Sequence, residues 1–228
     1  MSKWCKRRDS LAENGSLWQV PIMAHASLLE QPVVVHTRPA IDMDDEQFFQ
    51  FCRVNHDLQI ERTAEGDILI MAPEAGSSGH ASAKLVAVFQ QWAEREATGR
   101  VFGPSTGFNL PNGGTRSPDI AWVSESRLKA LTDEQWQKFL PLCPEFVLEL
   151  RSPSDGLHRL KQKMEEYREN GAQLGWLLDP VGKQVFVYKA GGTVEVLEKP
   201  STLSGEPVLR GFVLELPPVW AALERRKG

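Results

Sequence analysis

Two acids and a cluster of bases stand where apolar runs would otherwise continue. In the stretch EFVLELRSPSD, Phe146, Val147, Leu148 and Leu150 read as a buried strand, yet Glu149 and Arg151 are set into its end, just before a Ser-Pro-Ser turn. A buried charge is costly unless it is paired or holds a metal. Thirty residues upstream, TRSPDIAWV places Asp119 directly after Pro118 at the start of another apolar strand. The proline fixes the approach of the chain, so Asp119 projects from a defined strand edge. Two carboxylates on neighbouring strand ends make a divalent-metal site of the all-oxygen kind that magnesium prefers. Either acid taken alone is equally well an ordinary charge at a sheet edge. Alternation along the strand puts Glu149 and Arg151 on one face. Arg151 is therefore placed either to neutralise a phosphoryl transition state or to pair with Glu149 or Asp119.

The next segment, LHRLKQKMEEYREN, opens with a cluster of basic side chains: His158, Arg159, Lys161 and Lys163. Leu157, Leu160, Met164 and Tyr167 form its buried helical stripe. Lys161 and Lys163 flank that stripe by roughly 80° on opposite sides, so periodicity does not say which faces a site.

The elements that position these residues follow from local pattern. DMDDEQFFQFCRVN, with an acidic start and apolar Phe48, Phe49 and Cys52, predicts a short helix. DLQIERTAEGDILIMAP alternates about an Ala64-Glu65-Gly66-Asp67 turn and predicts a β-hairpin. SSGHASAKLVAVFQQWAEREATG predicts a long helix with Ser77 or Ser78 as cap. Leu85, Val88, Phe89 and Trp92 form its stripe, and Gly99 is its stop. Short strands are expected at RVFGP, GFNLP and PDIAWVS, and a polar helical stretch over about 125–139. After the basic helix, closed by Gly171, a meander of LGWLLDP, QVFVYKA and TVEVLEK is expected, then a strand at GFVLEL and a terminal helix. The first forty residues are rich in polar residues and turn formers. They read as an N-terminal extension (1–40), docked through Trp18 and Val33 to Val35, ahead of one α/β domain with a mixed sheet (41–228).

The whole chain narrows the function classes. It has 228 residues, 41% hydrophobic and 25% charged, as in ordinary globular proteins. A net charge of -4 argues against binding nucleic acid through bulk charge, while leaving room for a local basic groove. Three cysteines, far apart and without a CxxC, suit a reduced, cytoplasmic protein. Five scattered histidines offer no HxH or HExxH zinc pattern. No apolar run approaches the ~18 residues of a membrane helix, and KWCKRRD has no following h-region.

RSPDIAWVS, PEFVLELRSPSD, KMEEYRENGAQLGWLLDP and LSGEPVLRGFVLEL occur in this order. Together with IERTAEGDILIMAP they resemble the Uma-type family of restriction-endonuclease-like proteins, a branch of the PD-(D/E)xK nuclease-like superfamily. The resemblance runs from about Ile41 to Trp220. It implies a restriction-endonuclease-like mixed sheet flanked by helices, with an added β-meander. It also implies that Asp119 is the acid of the "PD" element and Glu149 the second acid. Glu61, in IERT, matches an acid the family places near the metal; read without the resemblance it is an exposed hairpin acid. The superfamily lysine two residues after the second acid is Arg151 here. The family's lysine in the KMxEY segment maps onto Lys163.

On this resemblance Glu61, Asp119 and Glu149 bind Mg²⁺, with Mn²⁺ as substitute, and Lys163 with Arg151 stands beside the attacking water and the scissile phosphate. The implied partner is DNA, met by the His158–Lys163 cluster; the chain acts alone or as a homodimer, away from membranes. Ser78 to His80 either add a phosphate contact at a helix N-terminus or simply cap it. Three readings compete. A catalytically silent nucleic-acid-binding or scaffold protein has no use for the acids. A glycosidase needs an aromatic cleft around its two carboxylates, and only Trp122 lies close in sequence. A serine hydrolase at Ser152 lacks the Gly-x-Ser-x-Gly elbow.

Overall fold

The computed structural model describes residues 32–153 and 155–224, so Trp18 and its expected docking lie outside the described residues. The hairpin forms as its alternation predicts: β2 (Gln59–Arg62) pairs antiparallel with β3 (Ile68–Met71). Gly66 sits in its turn at φ +96°, and a Cβ there would meet the Arg38 guanidinium at 3.0 Å, so only glycine suits the position. This hairpin anchors a five-stranded antiparallel sheet in the order β1-β3-β2-β6-β5, with β1 at Val33–Val35, β5 at Phe108–Asn109 and β6 at Thr115–Arg116. The extension expected over 1–40 therefore supplies an edge strand to the domain at its C-terminal end. Helix α1 (Asp45–Val54) packs Phe48 against Ile60 and Ile68 of the hairpin and begins with an Asp44–Gln47 capping box.

A second, six-stranded sheet runs β11-β10-β9-β8-β7-β4. Its strands are β4 (Gly99–Phe102), β7 (Ile120–Ser124), β8 (Phe146–Leu150), β9 (Leu174–Asp179), β10 (Gln184–Lys189) and β11 (Glu195–Glu198). Only β8 and β9 are parallel, joined by a crossover through α5 (Leu157–Glu169). The expected meander is β9-β10-β11. A separate hairpin, β12 (Thr202–Ser204) with β13 (Val213–Glu215), and helix α6 (Pro217–Leu223) complete the described chain. The single mixed sheet expected from the pattern is thus three sheets, because the hairpin pairs with β6 and not with the strands that carry the acids.

Strand β8 lies inside the six-stranded sheet with both faces covered. Phe146, Leu148 and Leu150 join one core with Leu85, Phe89 and Trp92 of α2 (Gly76–Glu96). Val147 joins the other with Leu160, Met164 and Tyr167 of α5. Each buried apolar side chain stabilises by about 1.5–3 kcal/mol. Four of them hold β8 in place although Glu149 is buried among them.

Several local expectations are corrected. Helix α2 starts at Gly76 with Ala75 as N-cap, so Ser77 and Ser78 lie inside its first turn. Its stripe runs Ala81, Leu85, Phe89, Trp92, leaving Val88 exposed. The helix ends at Ala97 in the left-handed region (φ 53°), and Gly99 opens β4 instead. A Cβ at Gly99 would stand 2.3 Å from the Val123 carbonyl, which is why glycine is needed there. The polar stretch after β7 forms two single-turn helices, α3 (Glu125–Leu128) and α4 (Asp133–Trp136).

Candidate active site

The two acids read from the sequence meet because their strands pair. In β7 and β8, Ile120 stands opposite Leu148 and Trp122 opposite Phe146. Continuing that antiparallel register by one residue sets Asp119 opposite Glu149, and directly opposed residues share a face. The Glu149 side chain points to the α5 side, with Val147. Asp119 is partly exposed, and its Oδ2 accepts a hydrogen bond from the Leu150 amide at 2.7 Å.

The third acid arrives from the other sheet. Glu61 on β2 is buried at 1% exposure, so it is not the exposed hairpin acid its sequence alone suggests. Arg116, the last residue of β6, and Ser117, which follows it toward β7, wrap it. Arg116 donates to Glu61 Oε2 at 3.1 Å, and the Ser117 amide to Glu61 Oε1 at 3.0 Å. Arg116 also donates to Glu166 of α5 at 2.7 Å.

Lys163, and not Lys161, faces this site. The Lys163 Nζ stands 2.8 Å from Glu61 Oε1, 2.8 Å from Glu149 Oε1 and 3.2 Å from the Ser117 carbonyl. An ammonium has three donors, and three acceptors surround this one. Lys161 lies outside this pocket, its Nζ 4.0 Å from the centre of the Phe186 ring. The Tyr167 hydroxyl donates to Glu149 Oε1 at 3.2 Å. Arg151 lies apart from this group. Strand β8 stops at Leu150, so alternation no longer governs residue 151, and its guanidinium donates to Asp179 Oδ1 at 3.0 Å and to the Asp155 carbonyl. It lines a different cavity from the acids.

These contacts set the charges. Burial raises Glu61, but Lys163 and Arg116 outweigh it and hold the carboxyl below its ordinary value. Burial raises Glu149; Lys163 offsets part of this and Glu61 adds to it, leaving the carboxyl above its ordinary value. Burial and then the Glu149 charge push Asp119 well up. Burial opposes the Lys163 charge, yet Glu149 and Glu61 dominate and hold the ammonium protonated, above its ordinary range.

Glu61, Asp119, Glu149 and Lys163 line one pocket of about 130 Å³, together with Glu74, Asp155 and Arg159. Five carboxylates thus face two cationic side chains. Among the described residues Asp119 has no ion-pair partner, and no three metal-ligating side chains stand close enough to form a ready-made metal centre. The donor set is nevertheless all oxygen and net negative, and it suits a hard divalent cation. The Lys163 ammonium now stands between Glu61 and Glu149. Sequence reasoning missed Arg116 and Tyr167, which position the acids. Arg116 lies in the TRSPD motif beside Asp119, and Tyr167 counted only as a member of the helical stripe.

Comparison with known proteins gives the chain a family and a fold. The model of the Uma2 family, described as "Putative restriction endonuclease", matches residues 45–217. A crystal structure described as "a putative nuclease belonging to DUF820", from Anabaena variabilis, superposes with a TM-score of 0.62 at 20% identity. The match covers 72% of this chain and 91% of that one, and it shows a shared fold. No curated protein matches the chain.

Proposed function

The chain belongs to the Uma2 family of putative restriction endonucleases, and from that premise we propose that it is a metal-dependent endonuclease that hydrolyses phosphodiester bonds in DNA. The observation that carries this reading is the meeting of Glu61, Asp119, Glu149 and Lys163 in one acidic pocket, drawn from two sheets and a helix.

Glu61, Asp119 and Glu149 would hold the ion, Mg²⁺ with Mn²⁺ as substitute. When bound, such an ion lowers the pKa of a water and offsets charge on the phosphate oxygens. The chain's own groups do the rest. Asp119, without an ion-pair partner, is held toward its protonated form by burial and the Glu149 charge, so it would give up that proton to take a cation. Arg116 and the Ser117 amide fix the Glu61 carboxylate, and Tyr167 orients Glu149. Lys163 is held protonated by its two carboxylates, so it acts as a fixed positive charge and hydrogen-bond donor rather than as a base. Lys163 would give up part of its pairing with Glu61 and Glu149 if those carboxylates held the ion, and its donors would then serve the phosphate or the attacking water. Arg151 stabilises the turn after β8 through Asp179 and Asp155, which gives it a positioning role.

A second reading, a catalytically silent nucleic-acid-binding or scaffold protein, is favoured by one observation: the side chain in the superfamily lysine position points to Asp179. Incubating the purified chain with supercoiled plasmid and with single-stranded circles separates the two readings. Nicking or cleavage that requires Mg²⁺ or Mn²⁺, and falls far more in Lys163→Ala than in Lys161→Ala, is the expected result. Binding without cleavage under every metal condition would favour the silent protein.

A further inference from the structure

The acids account for one wall of the pocket and leave two buried donors on the rest of it unexplained. Ser78, in the first turn of α2, is only 3% exposed, and its Oγ has no hydrogen-bond partner among the described residues. Arg159, on α5, gives one guanidinium nitrogen to Asp155 at 3.5 Å, while its buried Nε has no partner. An unmade hydrogen bond on a buried polar group is costly, and native structures keep such groups for a reason. Both residues line the pocket that holds Asp119 and Glu149.

The backbone adds to this pair. Helix α2 is 21 residues long, no side chain caps its N-terminus, and its first turn contains no acid. The first four amides of a helix have no intrahelical acceptor, and together with the helix dipole they favour an anion. Gly76, Ser77 and Ser78 supply these amides. The opposing group is Glu74, an exposed acid whose Oε1 accepts from Ser82 Oγ at 3.2 Å.

We propose that the N-terminus of α2, the Ser78 hydroxyl and the Arg159 guanidinium form a phosphate subsite for a backbone phosphodiester next to the one held over the acids. This deepens the nuclease reading and rests on it for the identity of the ligand. The chemistry of the subsite is that of any phosphate dianion or diester. One set of hydroxyl and guanidinium donors grips the strand, while the acids a short way along the same pocket work on the neighbouring linkage. Because the pocket as a whole is acidic, the anion binds best once a divalent cation has balanced the carboxylates.

The test uses the full chain, labelled duplex DNA and Ca²⁺, read by fluorescence anisotropy. Ser78→Ala and Arg159→Gln are each expected to weaken binding roughly five- to tenfold. Only Arg159→Gln should reduce the salt dependence, by about one unit of slope. Lys189→Gln, an exposed cation on β10 paired with Glu195 and outside the pocket, serves as control and should bind within about twofold of wild type. Ser78→Ala removes a hydroxyl that bonds to nothing in the free protein, so its melting temperature should not fall.

A parallel melt with inorganic phosphate in Mg²⁺ separates a general phosphate site from a DNA-specific one. Phosphate should raise the melting temperature of the wild type and not of the two variants. If both variants bind DNA as wild type does while the wild type cuts it, the subsite is overturned and the nuclease reading stands. A loss in Lys189→Gln equal to theirs overturns it too, since diffuse charge then explains the binding. Should the wild type neither bind nor cut DNA, the nuclease reading fails and the phosphate melt decides alone. A shift confined to the wild type keeps the subsite for another phosphate compound; an equal or absent shift ends it.

Discussion

At the scale of single residues, the site is a chain of alternating charges, with Asp119 at the end that lacks a counter-charge. Asp119 and Glu149 titrate above their ordinary values, so between an ordinary carboxylate pKa of about 4 and their raised values the folded protein holds more protons than the unfolded chain. Stability in that window must fall as pH rises. Glu61, held low, works the other way, but only where pH drops below the ordinary carboxylate range. Thermal melts from about pH 4.5 to pH 8 in chelator should show a declining wild-type melting temperature and a shallower decline in Asp119→Asn. Equal slopes would mean that solvent at the pocket mouth screens Asp119 fully. The acids themselves were legible in the sequence, since Pro118 and the apolar runs around Asp119 and Glu149 mark them locally. Helical periodicity left the choice between Lys161 and Lys163 open, and only the resemblance, through the KMxEY segment, pointed to Lys163. The two are symmetric about the helix stripe, and what separates them is Glu61, about a hundred residues away.

At the scale of elements, the decisive piece is the short link between β6 and β7. It crosses from the five-stranded to the six-stranded sheet, and Arg116 at its start, the last residue of β6, ties Glu61 to Glu166 of α5. Removing one partner of a buried ion pair leaves an uncompensated charge, at a cost of about 3–5 kcal/mol. Arg116→Met should lose stability on that order in urea unfolding near neutral pH, and Glu61→Gln in the same background should recover part of it. A loss below about 1 kcal/mol would show that Lys163 alone compensates the Glu61 charge. The β2–β3 hairpin and the β-meander were legible because alternation and turn residues are local signals. The start of α2 was not, since Ser77 and Ser78 satisfy the composition of a cap while the chain turns into the helix at Ala75. Arg151 was misdirected for a related reason: alternation holds only while β8 lasts, and the strand ends one residue earlier.

At the scale of the whole molecule, two sheets and a helix enclose a pocket richer in acids than in bases, and a cation that binds only the folded form should stabilise the fold. The gain follows RT ln(1 + [L]/Kd), about 2.7 kcal/mol at a hundredfold excess over Kd. Millimolar-range Mn²⁺ should therefore raise the wild-type melting temperature, and raise that of Glu149→Gln much less. In chelator the variant should melt at or above the wild type, because the charge beside Asp119 and Glu61 has been relieved. Equal shifts would remove Glu149 from the set of metal ligands. The division into separate sheets was not legible, because which strands pair across long separations depends on packing that no local window contains. The central claim, that Asp119 and Glu149 form the working site of a metal-dependent nuclease, is tested most directly by single-turnover cleavage of plasmid DNA across a Mg²⁺ or Mn²⁺ titration. Wild type should cut only with metal, while Asp119→Asn and Glu149→Gln, folded by their melts, should lose cleavage at every concentration. Cleavage by both variants at the wild-type rate would contradict the account.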